Sequence, residues 1–129
     1  MRKAIRTSQG PQPRGPYSQA IVADGFVFVA GQAAVNPSTN ELELGDVGLE
    51  TRRTLQNIQA ILEAAGSSLS DVVRVGVFLA DIKDFDAMNA VYKDFFPQNP
   101  PARTTVGAEL PKIKVEIDCI ARVSEPAKS

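Results

Sequence analysis

The sequence predicts an α+β fold, with a mostly antiparallel sheet of six strands packed on two helices. Short segments that alternate apolar and polar residues, or that are apolar throughout, lie near both ends and in the middle of the chain, as strands do. Two longer segments between them repeat apolar residues every three or four positions, which is typical of helices. Because the chain has 129 residues, 43% of them hydrophobic, we expect one domain over residues 1–129 with its own core.

Three strands are predicted at the start of the chain. We expect an edge strand at residues 2–5 and a hairpin of residues 20–22 and 26–30, which an Asp-Gly tight turn joins. Gly31 follows this hairpin. A glycine there marks a β-bulge or a place where backbone or a ligand approaches closely, and the residues alone favour the bulge.

Residues 10–19 form a loop that three prolines and two glycines make stiff. The loop delivers Tyr17. Its ring either anchors the loop in the core, with a solvated hydroxyl, or belongs to a site, and the residues alone favour the anchor.

Caps and residue stripes predict the two helices. Asp46 is placed to cap the first helix, Gly66 to end it, and Asp84 to cap the second. Between them, residues 72–80 are apolar at nearly every position and predict a central strand covered on both sides. The stripes expected to face the core are Thr51, Leu55, Ile58, Leu62 and Ala65 in the first helix and Phe85, Met88, Tyr92 and Phe96 in the second.

Residues 101–121 contain two alternating runs separated by Pro111, and we predict that these runs pair as a hairpin. Val106 lies on the predicted core side, whereas Arg103 and Glu116 lie on the non-core side. In the simplest register, Arg103 and Glu116 are on the order of 13 Å apart along the strands. A longer loop, a bulge or a site shared between chains is needed to bring them together.

Arg103 and Glu116 are both candidates for handling a small anionic molecule. A guanidinium makes two parallel charge-assisted hydrogen bonds with a carboxylate, and a partly desolvated glutamate can position water as a base. Taken alone, Arg103 fits a surface salt bridge to Glu116 or Asp118 better. Glu116 has an equally ordinary alternative as a solvated carboxylate.

Composition excludes several kinds of chemistry. The chain has no histidine and one cysteine, so neither a histidine proton relay nor a metal site of nitrogen and sulfur ligands can form. Cys119 alternates with polar residues and is predicted to be buried and inert. A formal net charge of −1, with no basic run longer than a pair, disfavours nucleic-acid binding. No segment resembles a secretory signal or a membrane span, so we expect a cytoplasmic protein.

Five spaced motifs, covering almost the whole chain, resemble the RidA (YjgF) family. They are Gly15-Pro16-Tyr17-Ser18-Gln19; Ala30-Gly31-Gln32 with Asn36-Pro37; the helix end at residues 61–66; Asp84-Phe85 with Asn89; and Pro101-Ala102-Arg103 followed by Val115-Glu116-Ile117. The resemblance implies a chorismate-mutase-like fold and a homotrimer with active sites in clefts between subunits. It also implies hydrolysis of reactive 2-imino acids, or their enamine tautomers, to 2-oxo acids and ammonia, without a cofactor or a metal.

The resemblance assigns roles by position. Arg103 matches the arginine that clamps the substrate carboxylate, Glu116 the glutamate that holds the attacking water, and Tyr17 a cleft tyrosine. Further cleft positions are Gly31, Phe85, Asn89, Ala30 and Thr105.

Two of these positions depart from the common pattern. Many relatives carry serine in place of Ala30, and many bacterial relatives carry cysteine in place of Thr105. Because relatives differ at both positions, neither is expected to be essential. Thr105 lies on the same side of its strand as Arg103 and could offer a hydroxyl to the substrate.

Small or apolar residues on the non-core side of the predicted strands indicate an oligomer, which would bury them. They include Ala30, Gly76, Phe78, Gly107 and Ile120. Two other functions stay open. One is a non-catalytic module in which the cleft senses a small carboxylate. The other is the endoribonuclease or translation inhibitor that names of relatives suggest, which the lack of histidine and of a basic stripe disfavours.

Overall fold

The computed structural model describes residues 2–124. Six strands form the main sheet, two short strands form a separate pair that the sequence did not predict, and two helices complete the fold. In chain order the elements are β1 (Arg2–Ile5), β2 (Ala20–Ala23), β3 (Phe26–Gln32), β4 (Val35–Asn36), β5 (Glu41–Leu42), α1 (Val47–Ala64), β6 (Val72–Leu79), α2 (Phe85–Phe95), β7 (Ala102–Gly107) and β8 (Val115–Arg122). Over residues 2–124, no helix is long and apolar enough to cross a membrane.

The main sheet has the order β1-β2-β3-β8-β6-β7, and all its neighbouring strands are antiparallel except β6 and β7. The predicted α+β architecture, with a mostly antiparallel six-stranded sheet and two helices, is therefore confirmed. The predicted hairpin of residues 101–121 is wrong, because β6 lies between β7 and β8. A parallel pair requires a crossover connection, and α2 supplies it between β6 and β7.

The two faces of the sheet have different surroundings. One face, the helix-covered face, packs with α1 and α2 around side chains such as Val27, Val75 and Ile117. Side chains that alternate with these point to the opposite face, which we call the open face. On the open face Phe28 is 44% exposed and Val106 is 41% exposed. This face therefore leaves large apolar side chains in contact with solvent in the single chain.

The predicted limits of α1 are confirmed by its caps. Asp46 accepts a hydrogen bond from the backbone N–H of Leu49 at 2.8 Å, and Gly66 just beyond the helix has a φ of 80°. A positive φ at this position costs glycine little, so glycine ends helices well.

The second helix begins in a different way from the prediction. Asp84 immediately precedes α2, as expected, but its side chain makes no capping hydrogen bond. A short 3₁₀ helix, Ile82–Asp84, comes first, and Asp81 caps it by accepting from the N–H of Lys83 at 2.9 Å. The capping carboxylate is therefore three residues upstream of the predicted one.

Candidate active site

Tyr17, Gly31 and Glu116 line one cleft with a volume of about 360 Å³. The cleft lies where the loop 10–19, the end of β3 and the start of β8 meet. Tyr17 is 51% exposed, so the predicted core anchor is wrong. Its hydroxyl accepts a hydrogen bond from the backbone N–H of Arg14 at 3.3 Å, which leaves the ring on the cleft wall.

Gly31 sits in the predicted β-bulge, which is confirmed by the register shift between Val29 and Gln32. The glycine also permits a close approach, because a Cβ atom at position 31 would lie 2.5 Å from Oε2 of Glu116. Any larger residue would therefore displace this carboxylate. The bulge at Gly31 is therefore as predicted, and the group that approaches the glycine closely is the side chain of Glu116.

Glu116 is half-buried on the open face of β8. Burial raises the pKa of its carboxyl group, and the neighbouring charge of Asp118 raises the pKa further. Asp118 lies two residues along the strand and therefore on the same face. Glu116 thus holds a proton at higher pH than an ordinary glutamate does, which suits a group that exchanges protons with water.

Arg103 lies on the other side of the sheet. It pairs with Val75 in the parallel β6–β7 ladder, so its side chain is on the helix-covered face. Its guanidinium carbon is 4.6 Å from the ring centroid of Tyr92 and 5.5 Å from that of Phe85. Neither of the two ion pairs within residues 2–124 includes Arg103. The alternative of a salt bridge to Glu116 or Asp118 is therefore wrong.

The residues around Arg103 come from α2 and β7. Phe85 and Asn89 lie one turn apart on α2, and Tyr92 continues the same side of the helix. Thr105 follows Arg103 on the same face of β7, and its buried hydroxyl has no hydrogen-bond partner within residues 2–124. An unpaired buried hydroxyl is uncommon in native structures, which makes Thr105 a candidate to bond with a ligand.

Tyr92 is the residue of this group that the sequence analysis did not assign to the site. It was placed in the core stripe of α2 and is indeed buried. Burial raises the pKa of Tyr92 to about 12, although the nearby Arg103 charge acts to lower it. The phenol is therefore neutral, and its ring supports the guanidinium. The sequence did offer a signal that Tyr92 belongs with Phe85: it is an aromatic residue seven positions later, two turns along the same side of the helix.

The structure thus separates the predicted site residues into two groups. We call Tyr17, Gly31 and Glu116 the acidic half-site, and Arg103, Thr105, Phe85 and Tyr92 the arginine half-site. Asn89 is grouped with the arginine half-site only by its position one turn after Phe85 on α2. Ala30 belongs to neither group. It lines a separate hollow of about 430 Å³ with Tyr17 and Phe28.

The two half-sites cannot meet within one chain. Glu116 pairs with Phe78, which pairs in turn with Val106 on β7. Glu116 is therefore two strands away from β7, about 10 Å. Because Arg103 and Val106 are an odd number of residues apart, their side chains point to opposite faces of the sheet. A site that uses both Arg103 and Glu116 needs two chains.

Residues 2–124 contain no cluster of three or more His, Cys, Asp or Glu side chains that could hold a metal ion. Cys119 is buried as predicted. Burial raises the pKa of its thiol to about 12, with a smaller contribution from Asp118. The thiol is therefore protonated and a poor nucleophile.

Comparison with known proteins identifies the family. The sequence profile of the Endoribonuclease L-PSP family, which includes the YjgF and RidA proteins, matches residues 7–123. The chain belongs to this family.

Curated relatives and solved structures agree with this assignment. A RutC family protein of Pyrococcus horikoshii is 50% identical over 123 residues, which cover 94% of this chain and 98% of the relative. A 2-iminobutanoate/2-iminopropanoate deaminase of Dermatophagoides farinae is 45% identical over 121 residues, covering 92% and 94%. RidA from an Antarctic Psychrobacter species has a TM-score of 0.88 at 38% identity, covering 93% and 98%. Escherichia coli TdcF with bound serine has a TM-score of 0.87 at 39% identity, with the same coverage.

Proposed function

We propose that this YjgF/RidA family member is a 2-imino acid deaminase, which hydrolyses reactive 2-imino acids or their enamine tautomers to 2-oxo acids and ammonia. The observation that carries the proposal is the setting of Glu116. Its half-buried carboxyl group has a raised pKa, faces a cleft and depends on a glycine for its space. Relatives named as 2-iminobutanoate/2-iminopropanoate deaminases support the substrate class.

The proposed active assembly is a homotrimer, in which the arginine half-site of one subunit faces the acidic half-site of the next. Two observations support an assembly of this kind. The two half-sites lie on opposite faces of the sheet, and the open face exposes Phe28 and Val106. Burying apolar surface of this kind gains roughly 25 cal/mol per Å². A head-to-tail contact between unlike surfaces closes into a ring when the rotation allows it, as a trimer does.

Arg103 is proposed to bind the carboxylate of the imino acid. Its guanidinium lies against the rings of Tyr92 and Phe85, and stacking on an aromatic face leaves the N–H edges of the fork free. These edges can donate two hydrogen bonds to a carboxylate. Thr105 and Asn89 are placed beside the same ligand, and the unpaired hydroxyl of Thr105 can bond with it.

Glu116 is proposed to activate water. As the water oxygen bonds to the imine carbon, the ionised carboxylate takes a proton from that water. Starting from the protonated imine, the carboxyl group then gives this proton to the amine nitrogen of the carbinolamine. As the C–N bond breaks, the regenerated carboxylate takes the remaining hydroxyl proton, which leaves the 2-oxo acid and ammonia, and the proton passes to the released ammonia as ammonium. A protonated imine is already electrophilic, so the barrier to be lowered is much smaller than for inert bonds. Tyr17 borders the cleft in which this water would stand.

The proposal is tested by coupling the protein to a pyridoxal-phosphate-dependent serine or threonine dehydratase, which releases the imino acid. Native protein should speed the appearance of the 2-oxo acid, and Arg103→Ala should abolish the effect. Arg52→Ala is the matched control, because Arg52 also lies over an aromatic ring, Phe95 at 5.7 Å, but is paired with Asp94 on the surface. It should keep full activity.

Two outcomes would replace the proposal. If the protein binds 2-oxo acids in a manner that depends on Arg103 but never accelerates hydrolysis, it is a binding module. RNA cleavage that is lost in Arg103→Ala or Glu116→Gln would revive the endoribonuclease named in the family description. The net charge of −1 and the lack of histidine disfavour that activity.

A further inference from the structure

Glu50 is a fully buried acidic residue, at 0% exposure, that the proposed reaction does not use. It lies in the first turn of α1. Buried carboxylates are rare, because their desolvation must be offset by hydrogen bonds or ion pairs. Its partners therefore indicate why an acidic residue stands at this place.

In the described part of the chain, the partners of the Glu50 side chain lie in two loop segments. Oε1 accepts a hydrogen bond from the backbone N–H of Lys114 at 2.8 Å. Oε2 accepts from the backbone N–H of Gly45 at 3.3 Å and lies 3.6 Å from Nζ of Lys114. The carboxylate thus connects the start of α1 to the residue that immediately precedes β8.

Lys114 is held on both sides of its own backbone. The backbone N–H of Lys114 donates to Glu50, and the carbonyl oxygen of Lys114 accepts from the N–H of Ala80 at 3.0 Å. Val115 follows and is fully buried, and Glu116 comes next. Since side chains alternate along a strand, fixing the peptides around Lys114 sets the direction in which Glu116 projects.

We propose that Glu50 is a positioning residue for Glu116. Its carboxylate holds the backbone of Lys114 and so keeps the Glu116 carboxylate at its place in the cleft. This inference rests on the proposed function, in which Glu116 directs water. Glu50 does not touch the cleft, since it is absent from the residues that line it. It acts on Glu116 through Lys114, which precedes β8, and Val115, the first residue of β8.

Truncation of Glu50 should lower kcat more than it raises KM. In Glu50→Ala the buried N–H of Lys114 loses its acceptor, and the start of β8 becomes free to shift. A misplacement of about 1 Å can cost on the order of a hundredfold in rate, so we expect a fall in kcat of about tenfold to a hundredfold. The carboxylate clamp at Arg103 is on β7, so KM should change by less than about threefold. Glu50→Gln keeps one acceptor oxygen and should recover most of the rate.

Thr51→Ala is the matched control. Thr51 is also fully buried in the first turns of α1, and among the described residues its hydroxyl bonds only to the carbonyl of Val47 within the helix. Both variants lose a buried polar group of α1, but only Glu50→Ala releases β8. The kinetic constants are measured well below the unfolding temperature of each variant. Amide hydrogen exchange at Lys114 and the carboxyl titration of Glu116 are measured by NMR in the same samples.

The proposal predicts faster exchange at Lys114, a shifted Glu116 titration and reduced kcat in Glu50→Ala, with all three near native values in Thr51→Ala. Equal losses in the two variants, or native exchange and titration in Glu50→Ala, would overturn it. If the native protein has no deaminase turnover, the proposed function fails on that result alone. The exchange and titration measurements still decide whether Glu50 positions Glu116.

Discussion

Glu116 depends on the absence of a side chain at position 31. A Cβ atom there would lie 2.5 Å from Oε2 of Glu116 and 3.0 Å from its Cδ. Gly31→Ala must therefore displace the carboxylate, and kcat/KM in the dehydratase-coupled assay should fall at least about tenfold. The control is Gly48→Ala in α1, where the nearest atoms are 3.4 Å away and alanine favours the helix. A Gly31→Ala protein with native kcat/KM would contradict the assigned role of Glu116.

The pKa of Glu116 gives a second prediction at the residue scale. Its raised pKa means that the ionised form, which accepts the proton from water, is lost at a higher pH than for an ordinary glutamate. Asp118→Asn removes the nearby negative charge, so the pKa of Glu116 should move down, and the acidic fall in kcat should move to lower pH. Burial, the larger cause, remains in this variant, so the pKa should stay above its ordinary value.

NMR titration of the Glu116 carboxyl group checks this directly, with the pH profile of kcat as the functional readout. Asp71→Asn serves as the control, because Asp71 lies before β6 and is not a cause of the shift. An unchanged Glu116 titration in Asp118→Asn would show that the two carboxylates do not interact.

At the scale of elements, α2 packs two aromatic rings against Arg103, which lies on β7. The rings of Tyr92 and Phe85 lie within cation–π distance of its guanidinium. Such contacts are worth about 0.5 to 2 kcal/mol. Tyr92→Leu should therefore raise KM about threefold to tenfold with little change in kcat. Tyr92→Phe keeps the ring that lies against the guanidinium, so its KM should remain near native.

Steady-state kinetics of the two variants separate the ring from the hydroxyl. If Tyr92→Phe is as impaired as Tyr92→Leu, the hydroxyl contacts the ligand and the aromatic support is not the cause. A native KM in both variants would remove Tyr92 from the site.

Most elements with local signals were predicted well, and the cap at Asp84 is the exception. The helix caps Asp46 and Gly66, the Asp24–Gly25 turn with φ values of 51° and 82°, and the bulge at Gly31 are all as expected. Each depends on the conformational preference of one or two residues, which the sequence states directly.

Strand pairing was predicted less well. The alternation of apolar and polar residues indicates which face of the sheet a side chain is on, but not which strands are adjacent. Residues 101–121 contain two alternating runs around Pro111, yet β7 pairs with β6 and β8 enters between β3 and β6. The strand-helix-strand order of β6, α2 and β7 was the available signal for a parallel pair.

The faces of β7 were assigned in reverse. Val106 is exposed and Arg103 faces α2, because the aromatic rings of the helix accept the flat guanidinium. The alternation pattern assigns charged residues to the solvent-exposed face, so it could not predict an arginine on the helix-covered face. The motif resemblance assigned Arg103 to the candidate site without using strand pairing, since it depends on residue identity and order.

At the scale of the whole molecule, one chain holds the candidate residues in two separate places. Arg103 is on the helix-covered face of the edge strand β7, and Glu116 is on the open face two strands away. The wrong hairpin had left a shared site as one of several ways to bring the two residues together. The observed topology removes the single-chain ways, because the two side chains point to opposite faces.

Complementation between inactive variants tests this shared site most directly. Arg103→Ala and Glu116→Gln are unfolded, mixed in equal amounts and refolded together, and mixed assembly is verified by native mass spectrometry. In a trimer, about one cleft in four should then combine an intact Arg103 with an intact Glu116 from the neighbouring subunit. A site shared between neighbouring subunits predicts about a quarter of native deaminase activity in the mixture and none in either variant alone. Mixed trimers without activity would contradict it.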